Sequence, residues 1–163
     1  YIREDPYGFL SNFWRQDQTL ITKGSNIFLA HEKFRKLFPS EIIMSEYPTN
    51  EHFYQACKAK DLEISKWIKN APTPTLAMKA GRSLQKKEIR DDWEKVKVFI
   101  MKEGLRVKFA NENLAIMLLW TGDAVLVEDS PTDMFWGGSL PGSKNMLGQL
   151  LMEVREEIRK GRK

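Results

Sequence analysis

The sequence predicts an α+β domain. Three observations point there. Several stretches repeat apolar residues at helical spacing, most clearly residues 91–109 and 145–159. Short β-branched or aromatic runs sit between turn residues, as at Thr19-Leu20-Ile21-Thr22, Ile27-Phe28-Leu29 and Val125-Leu126-Val127. No internal repeat or low-complexity linker interrupts the chain, so residues 1–163 read as one domain, long enough for a sizeable core.

Residues 1–14 are punctuated by Pro6 and Gly8, which predicts a short strand and then an irregular segment. Tyr7, Phe9, Phe13 and Trp14 crowd around Ser11 and Asn12. Such a loop is either pinned to the core by its aromatics or turned toward a ligand, where Asn12 offers donors and an acceptor. Residues 15–47 alternate polar turns with mixed runs. Lys23-Gly24-Ser25-Asn26 is a turn between two strands, and Glu41-Ile42-Ile43-Met44-Ser45 is a further strand candidate.

Pro48 disfavours helix before it, and Thr49 or Asn50 can cap a helix over residues 49–60. Glu51, Gln55 and Lys58 then share a narrow arc, with Phe53, Ala56 and Cys57 opposite. The arc reads either as a solvated stripe with side-chain pairing along the helix or as one wall of an active site. Leu62 to Asn70 predicts a short helix closed by Pro72 and Pro74. Thr73 or Thr75 caps the next, which ends at Gly81-Arg82, with glycine as the stop. Arg82 suits a salt bridge or a phosphate.

Asp91 or Asp92 begins the longest helix, to about Phe109, with Trp93, Val96, Ile100 and Val107 as its core stripe. Trp93, in the first turn, is the member placed to reach a pocket rim. Asn111 precedes an apolar helix from Leu114 to Trp120, and Thr121-Gly122-Asp123 turns the chain. After the Val125–Val127 strand candidate, residues 128–138 combine three carboxylates, Trp136 and paired glycines in a loop where a site can be built. The sixth helix, from about Asn145 to Arg159, carries Leu147, Leu150, Leu151, Val154 and Ile158 on one stripe.

Composition is ordinary for a globular chain, with 42% apolar and 29% charged residues. The net charge of +4, from 26 basic and 22 acidic residues, suits a phosphate-bearing ligand and does not by itself argue for nucleic acid. Arg155, Arg159, Lys160, Arg162 and Lys163 concentrate basic charge at the end. There they complement a helix C-terminus and aid solubility before they suggest nucleic acid. Cys57 is the one cysteine, so no intramolecular disulfide forms, and its apolar face predicts an inert buried thiol. His31, His52 and Cys57 have no metal-ligand spacing, so neither a metal nor a cofactor is expected. No apolar run reaches membrane-spanning length and no basic-then-apolar leader opens the chain, so the expectation is a soluble cytoplasmic protein.

Several stretches together resemble the YbiA-like family, also called NADAR, for NAD and ADP-ribose. They are Tyr7-Gly8-Phe9-Leu10-Ser11-Asn12-Phe13, Pro48 through Ala56, Gly81-Arg82, Asp92-Trp93, and Met101-Lys102-Glu103-Gly104-Leu105 with Lys108-Phe109. They continue with Leu114–Leu119, Thr121-Gly122, Val127-Glu128, Ser130-Pro131, Asp133, Trp136-Gly137, and Asn145-Met146-Leu147-Gly148 with Leu150-Leu151-Met152 and Arg155. Their order covers nearly the whole chain. Residues 15–47 are longer than the family's usual connection, and Trp136-Gly137-Gly138-Ser139 replaces the commoner Trp-Gly-x-Gly.

The resemblance implies a mainly helical α+β domain of about six helices with short strands. It also implies an N-glycosidase acting on a phosphoribosyl or ADP-ribosyl compound. Two substrates fit: a ribosylamino-pyrimidine phosphate of the riboflavin pathway, or ADP-ribosylated guanine, including in nucleic acid. The matching family residues are Glu51, Trp93, Asp133 and Trp136, followed by Asn12, Lys58 and Arg82; Gln55 and Gly137 stand beside them.

Cleaving a ribosyl C–N bond builds positive charge on C1 and the ring oxygen, which a carboxylate stabilises or relieves by activating water. Glu51, near a helix N-terminus, suits that role. Asp133, in an aromatic-flanked loop, suits the acid that protonates the leaving nitrogen. Trp93 and Trp136 would stack on the base and Arg82 would hold a phosphate. Lys58 would position substrate, or form a Schiff base with an opened ribose. Two rival classes are a binding module for NAD or ADP-ribose without turnover, and a nucleic-acid module using the basic tail.

Overall fold

Thr49, Asp61, Thr73 and Asn111 each stand one residue before a helix, and each side chain accepts backbone N–H groups of the first turn. These caps position most of the architecture. The computed structural model describes residues 7–14, 36–43 and 45–161. Among them are seven α-helices: α1 (Ser40–Ile43), α2 (Asn50–Ala56), α3 (Leu62–Lys69), α4 (Pro74–Ser83), α5 (Trp93–Lys108), α6 (Glu112–Trp120) and α7 (Met146–Gly161). Short 3-10 turns occupy Gly8–Leu10 and Lys86–Glu88. β pairing among the described residues is confined to one antiparallel bridge, Ala59 with Ile89. The described residues are therefore mainly helical, as the resemblance implies, and the two strand candidates that reach into them, 41–45 and 125–127, do not pair as strands there.

The chain groups into two compact units, Tyr1–Lys108 and Phe109–Lys163. In the first, α2 packs against α3, α4 and α5, and α3 against α4. Every residue of α2 is buried, including Asn50, Glu51, His52 and Gln55. Phe53, Ala56 and Cys57 are 2%, 0% and 0% exposed, so the apolar face packs as its spacing predicts. Burial also pushes the Cys57 thiol well above its usual range, which fits an inert core residue. In the second unit α6 packs against α7. Leu147, Leu150, Leu151 and Val154 of α7 are buried, each worth roughly 1.5–3 kcal/mol of transfer free energy. Arg155 is buried too: its guanidinium donates to Thr121 Oγ1 at 2.7 Å and to the Ala124 carbonyl at 3.0 Å. Arg159 donates to the Gly122 carbonyl at 2.9 Å. These basic residues of the tail hold the turn after α6.

Four expectations are corrected. Residues 40–43 form one helical turn rather than a strand, because the Pro39 carbonyl accepts from both Ile42 and Ile43. Two adjacent isoleucines carry too short a pattern to separate the periods. Val125–Val127 is not a buried strand: Leu126 is buried, but Val125 and Val127 are 74% and 53% exposed. Its backbone bonds instead to the Asn145 side chain. The 49–60 helix stops at Ala56, because the backbone beyond is committed to the bridge: Lys60 N–H donates to the Glu88 carbonyl and Arg90 N–H to that of Lys58. Gly81 does not stop its helix; α4 runs through it to Ser83. The strand candidates 19–22 and 27–29, the turn between them, the strand expected before Tyr7 and the last two tail residues lie outside the described residues.

Candidate active site

The first unit builds its polar centre on α2. Thr49 caps the helix: its Oγ1 accepts from the His52 N–H at 3.3 Å and lies 2.8 Å from His52 Nδ1. The Ala71 carbonyl is 3.0 Å from His52 Nε2, and a carbonyl only accepts, so that nitrogen carries a proton. The Glu51 N–H, an orphan donor of the first turn, reaches the Asn12 carbonyl at 3.0 Å. Asn50 Nδ2 donates to Asn12 Oδ1 at 2.8 Å, and Asn12 Nδ2 points to Met101 Sδ at 3.4 Å. Asn12 is 8% exposed and belongs to this cluster, which locates the loop as both pinned and beside Glu51.

Glu51 is 7% exposed, and its Oε1 accepts from Gln55 Nε2 at 2.8 Å. The other atom of that amide, Gln55 Oε1, is buried without a hydrogen-bond partner and rests against Gly81 of α4. A Cβ on Gly81 would overlap it. Gly104 of α5 relates to Asn50 in the same way: a Cβ there would overlap Asn50 Oδ1, which is likewise buried and unpartnered. Both helices thus come close enough to α2 that only glycine fits. Close contact with a glycine Cα–H offers each oxygen a weak donor in place of a full one.

Lys58 lies just beyond α2, and its Nζ donates to the Gly81 carbonyl at 2.9 Å. It is half-buried. Burial first, then the Arg82 guanidinium, holds its ammonium below the ordinary lysine pKa, while Glu94 acts oppositely. Arg82 is exposed in the last turn of α4 and makes no ion pair among the described residues. Trp93 is not at a rim: it is 7% exposed, with its ring 5.0 Å from that of Tyr54 at 54°. Glu51, Gln55 and Asn12 are thus brought together. Lys58 joins them through Gly81, and Trp93 packs on α2 through Tyr54.

The second unit holds Asp133, Trp136 and Gly137. Asp133 Oδ1 accepts from the N–H groups of Phe135 and Trp136 at 2.9 and 2.7 Å, and the Asp133 N–H donates to Ser130 Oγ. Gly137 N–H returns to the Asp133 carbonyl at 3.1 Å. The loop is then docked on α7: Met146 and Leu147 N–H groups donate to the Phe135 and Trp136 carbonyls. Asn145 is the hub. It adopts φ 49°, and its side chain accepts from Glu128 N–H at 3.0 Å and donates to the Leu126 carbonyl at 2.8 Å. Gly138 and Gly148 both abut it, leaving no room for a Cβ. Trp136 is half-buried, edge-on to Phe135 at 5.0 Å and 88°.

Among the described residues no group of three or more His, Cys, Asp or Glu is placed to hold a metal ion. No described helix is long and apolar enough to cross a membrane. Two cavities of about 350 and 460 Å³, the first lined by Phe38, Arg90 and Asp92 and the second by Trp67, Leu76 and Lys79, contain none of these side chains. The sequence reading did not anticipate Asn50, Met101, Gly104 or Asn145 as parts of this framework. Gly104 within the apolar pattern of α5 was the available signal, since a mid-helix glycine often marks close packing.

Fold and site together define a helical domain with a buried carboxylate held by an amide at the start of a short helix. The chain belongs to the NADAR domain family, whose profile matches residues 1–159. It is similar to the N-glycosidase YbiA of Shigella sonnei, at 38% identity over 160 residues, covering 97% of this chain and 86% of that one. It also matches the maize chloroplastic riboflavin biosynthesis protein PYRR, at 42% identity over 123 residues, 69% of this chain and 20% of that protein. The NMR structure of the Escherichia coli protein YbiA superimposes with a TM-score of 0.75 at 32% identity, over 99% of this chain and 84% of that one.

Proposed function

We propose that this protein is an N-glycosidase hydrolysing the ribosyl C–N bond of a phosphoribosyl or ADP-ribosyl compound. The observation that carries the reading is the Glu51 carboxylate: buried, at the first turn of α2, and held by Gln55 at 2.8 Å. A carboxylate so fixed needs little reorganisation when positive charge develops on a ribosyl C1, so it favours the transition state over the ground state. It also suits the base that takes a proton from the attacking water. The names of its relatives, an N-glycosidase and a riboflavin biosynthesis protein, agree with this chemistry.

The other assignments follow the resemblance. Asp133 is the proton donor to the leaving nitrogen; with its Oδ1 accepting two backbone N–H groups, Oδ2 is the oxygen that would carry the transferred proton. Trp136, beside Gly137, is the first stacking surface for the base, and Trp93, packed against Tyr54 of α2, is the second. Arg82, exposed and without an ion pair among the described residues, takes a phosphate. Lys58, held on the Gly81 carbonyl, positions substrate first. Its second role is condensation of its amine with the C1 aldehyde of an opened ribose, releasing water, which burial and the Arg82 charge favour by disfavouring its ammonium form.

The test is a panel analysed by mass spectrometry. The purified protein is incubated with the ribosylamino-pyrimidine phosphate, with NAD, and with an oligonucleotide carrying ADP-ribosylated guanine, and free base is measured. Release from one of the first two assigns a small-molecule substrate; release from the third adds modified nucleic acid as a partner. No release from any, with ADP-ribose still bound in calorimetry, would make it a binding module.

A further inference from the structure

We propose that Lys108 is a positioning residue for the Glu51 carboxylate, acting through the Ser11–Asn12 loop. This rests on the N-glycosidase reading for its kinetic consequence and on geometry alone for its structural one.

Lys108 is the last residue of α5 and is 1% exposed. A buried ammonium is costly unless hydrogen-bonded, so the bond it makes to the loop is a committed one. Its Nζ donates to the Ser11 carbonyl at 2.7 Å. The next carbonyl, that of Asn12, accepts the Glu51 N–H at 3.0 Å. The Asn12 side chain is held as well, by Asn50 Nδ2 at 2.8 Å on Oδ1 and by Met101 Sδ at 3.4 Å from Nδ2. Two consecutive peptide groups of the loop are therefore gripped, one by the end of α5 and one by the start of α2.

α2 is only seven residues long and has no length with which to average out an error at its first turn. The Asn12 carbonyl meets it at Glu51 itself. A shift of Ser11 moves Asn12, and a shift of Asn12 moves the backbone that carries the carboxylate. Misplacing a catalytic group by about 1 Å can lower the rate on the order of a hundredfold. The ammonium also complements the C-terminal end of the α5 dipole, but a surface lysine would do that equally well. Full burial on a carbonyl of the loop is what the dipole does not explain.

The experiment compares the parent, Lys108→Met, Lys108→Arg, Asn12→Ala and the Lys108→Met/Asn12→Ala double variant. Two quantities are read: amide hydrogen exchange at Glu51, and steady-state base release. In Lys108→Met, exchange of the Glu51 N–H is expected to quicken, and kcat to fall roughly tenfold or more while KM stays within about threefold. Lys108→Arg retains a donor and is expected to restore most of kcat. The double variant is expected to be no slower than Asn12→Ala, because both changes act through one loop. Parental exchange and parental kcat in Lys108→Met, or losses that multiply in the double variant, would overturn the proposal. If Lys108→Met does not fold, Lys108→Leu, which also lacks a donor, takes its place with the same expectations. If the parent releases no base, the exchange arm still decides the positioning claim, and only the enzymatic reading fails.

Discussion

Gln55 Nε2 donates to Glu51 Oε1 at 2.8 Å across one turn of α2, and the far atom of the same amide rests on Gly81 of α4. An ionised carboxylate only accepts, so the NH2 end of the amide must face Glu51. That leaves Oε1 against Gly81, buried and without a full partner. An unsatisfied buried oxygen costs about 1–3 kcal/mol, and the amide keeps this arrangement because it holds the carboxylate.

Gly81→Ala tests whether the α4 contact holds Gln55 in place. In an open helix the change would stabilise by about 0.5–1 kcal/mol. Here the new methyl overlaps Gln55 Oε1, and overpacking costs about 1–3 kcal/mol. Thermal melts should show a net loss of stability, and base release should fall, since Gln55 must leave Glu51 to make room. A variant more stable than the parent with unchanged activity would show that the contact does not matter.

Lys58 should titrate below the ordinary lysine pKa. Burial is the larger cause and the Arg82 charge the second. Arg82→Gln removes the like charge and should raise the Lys58 pKa toward the ordinary value; Glu94→Gln removes an opposite charge and should lower it further. A lysine with a lowered folded pKa binds fewer protons folded than unfolded between the two values. Its contribution to stability therefore grows as pH rises through that window, and Lys58→Met should remove this slope. NMR of reductively methylated lysines follows the titration, and urea melts across alkaline pH follow the slope.

Asn145 sits at φ 49° and replaces a missing strand partner for residues 126–128. Asn145→Gly keeps the backbone comfortable but loses both side-chain bonds, worth about 1 kcal/mol each. Asn145→Ala loses them and adds left-handed strain of about 1–2 kcal/mol. Urea denaturation should rank parent, Gly, then Ala. Equal stability of the Gly and Ala variants would mean that the backbone there carries no strain.

Asp133→Asn separates two roles of one side chain. The amide keeps an acceptor for the Phe135 and Trp136 N–H groups and loses the transferable proton. The indole N–H resonance of Trp136 should stay in place while base release falls on the order of a hundredfold. Asp133→Ala should lose the resonance position as well. An unchanged rate in Asp133→Asn would exclude it as the acid.

The helices were legible where their signals are local. Thr73 announces α4 as a cap candidate, Asn111 marks the break before α6, and the stripe from Leu147 to Val154 announces α7. The site was half legible. Glu51 and Gln55 could be placed on one side of a helix, but not recognised as buried, because what buries them comes from Asn12 and Gly81, far away in the sequence. Polar residues at helical spacing look like a solvated face until the distant chain that covers them is known. Gly81 was misread for the same reason: a glycine near a helix end resembles a stop, whereas here it marks the side chain pressed against it. The false strand at Val125–Val127 came from β-branched composition, which does not reveal that a side chain, Asn145, serves as the pairing edge.

The most direct measurement is base release by Glu51→Gln, which keeps the shape of the side chain and removes its charge. With folding verified by circular dichroism and ligand binding retained in calorimetry, the rate on the substrate turned over by the parent should fall on the order of a hundredfold or more. Release at the parental rate would contradict the assignment of Glu51 as the essential carboxylate.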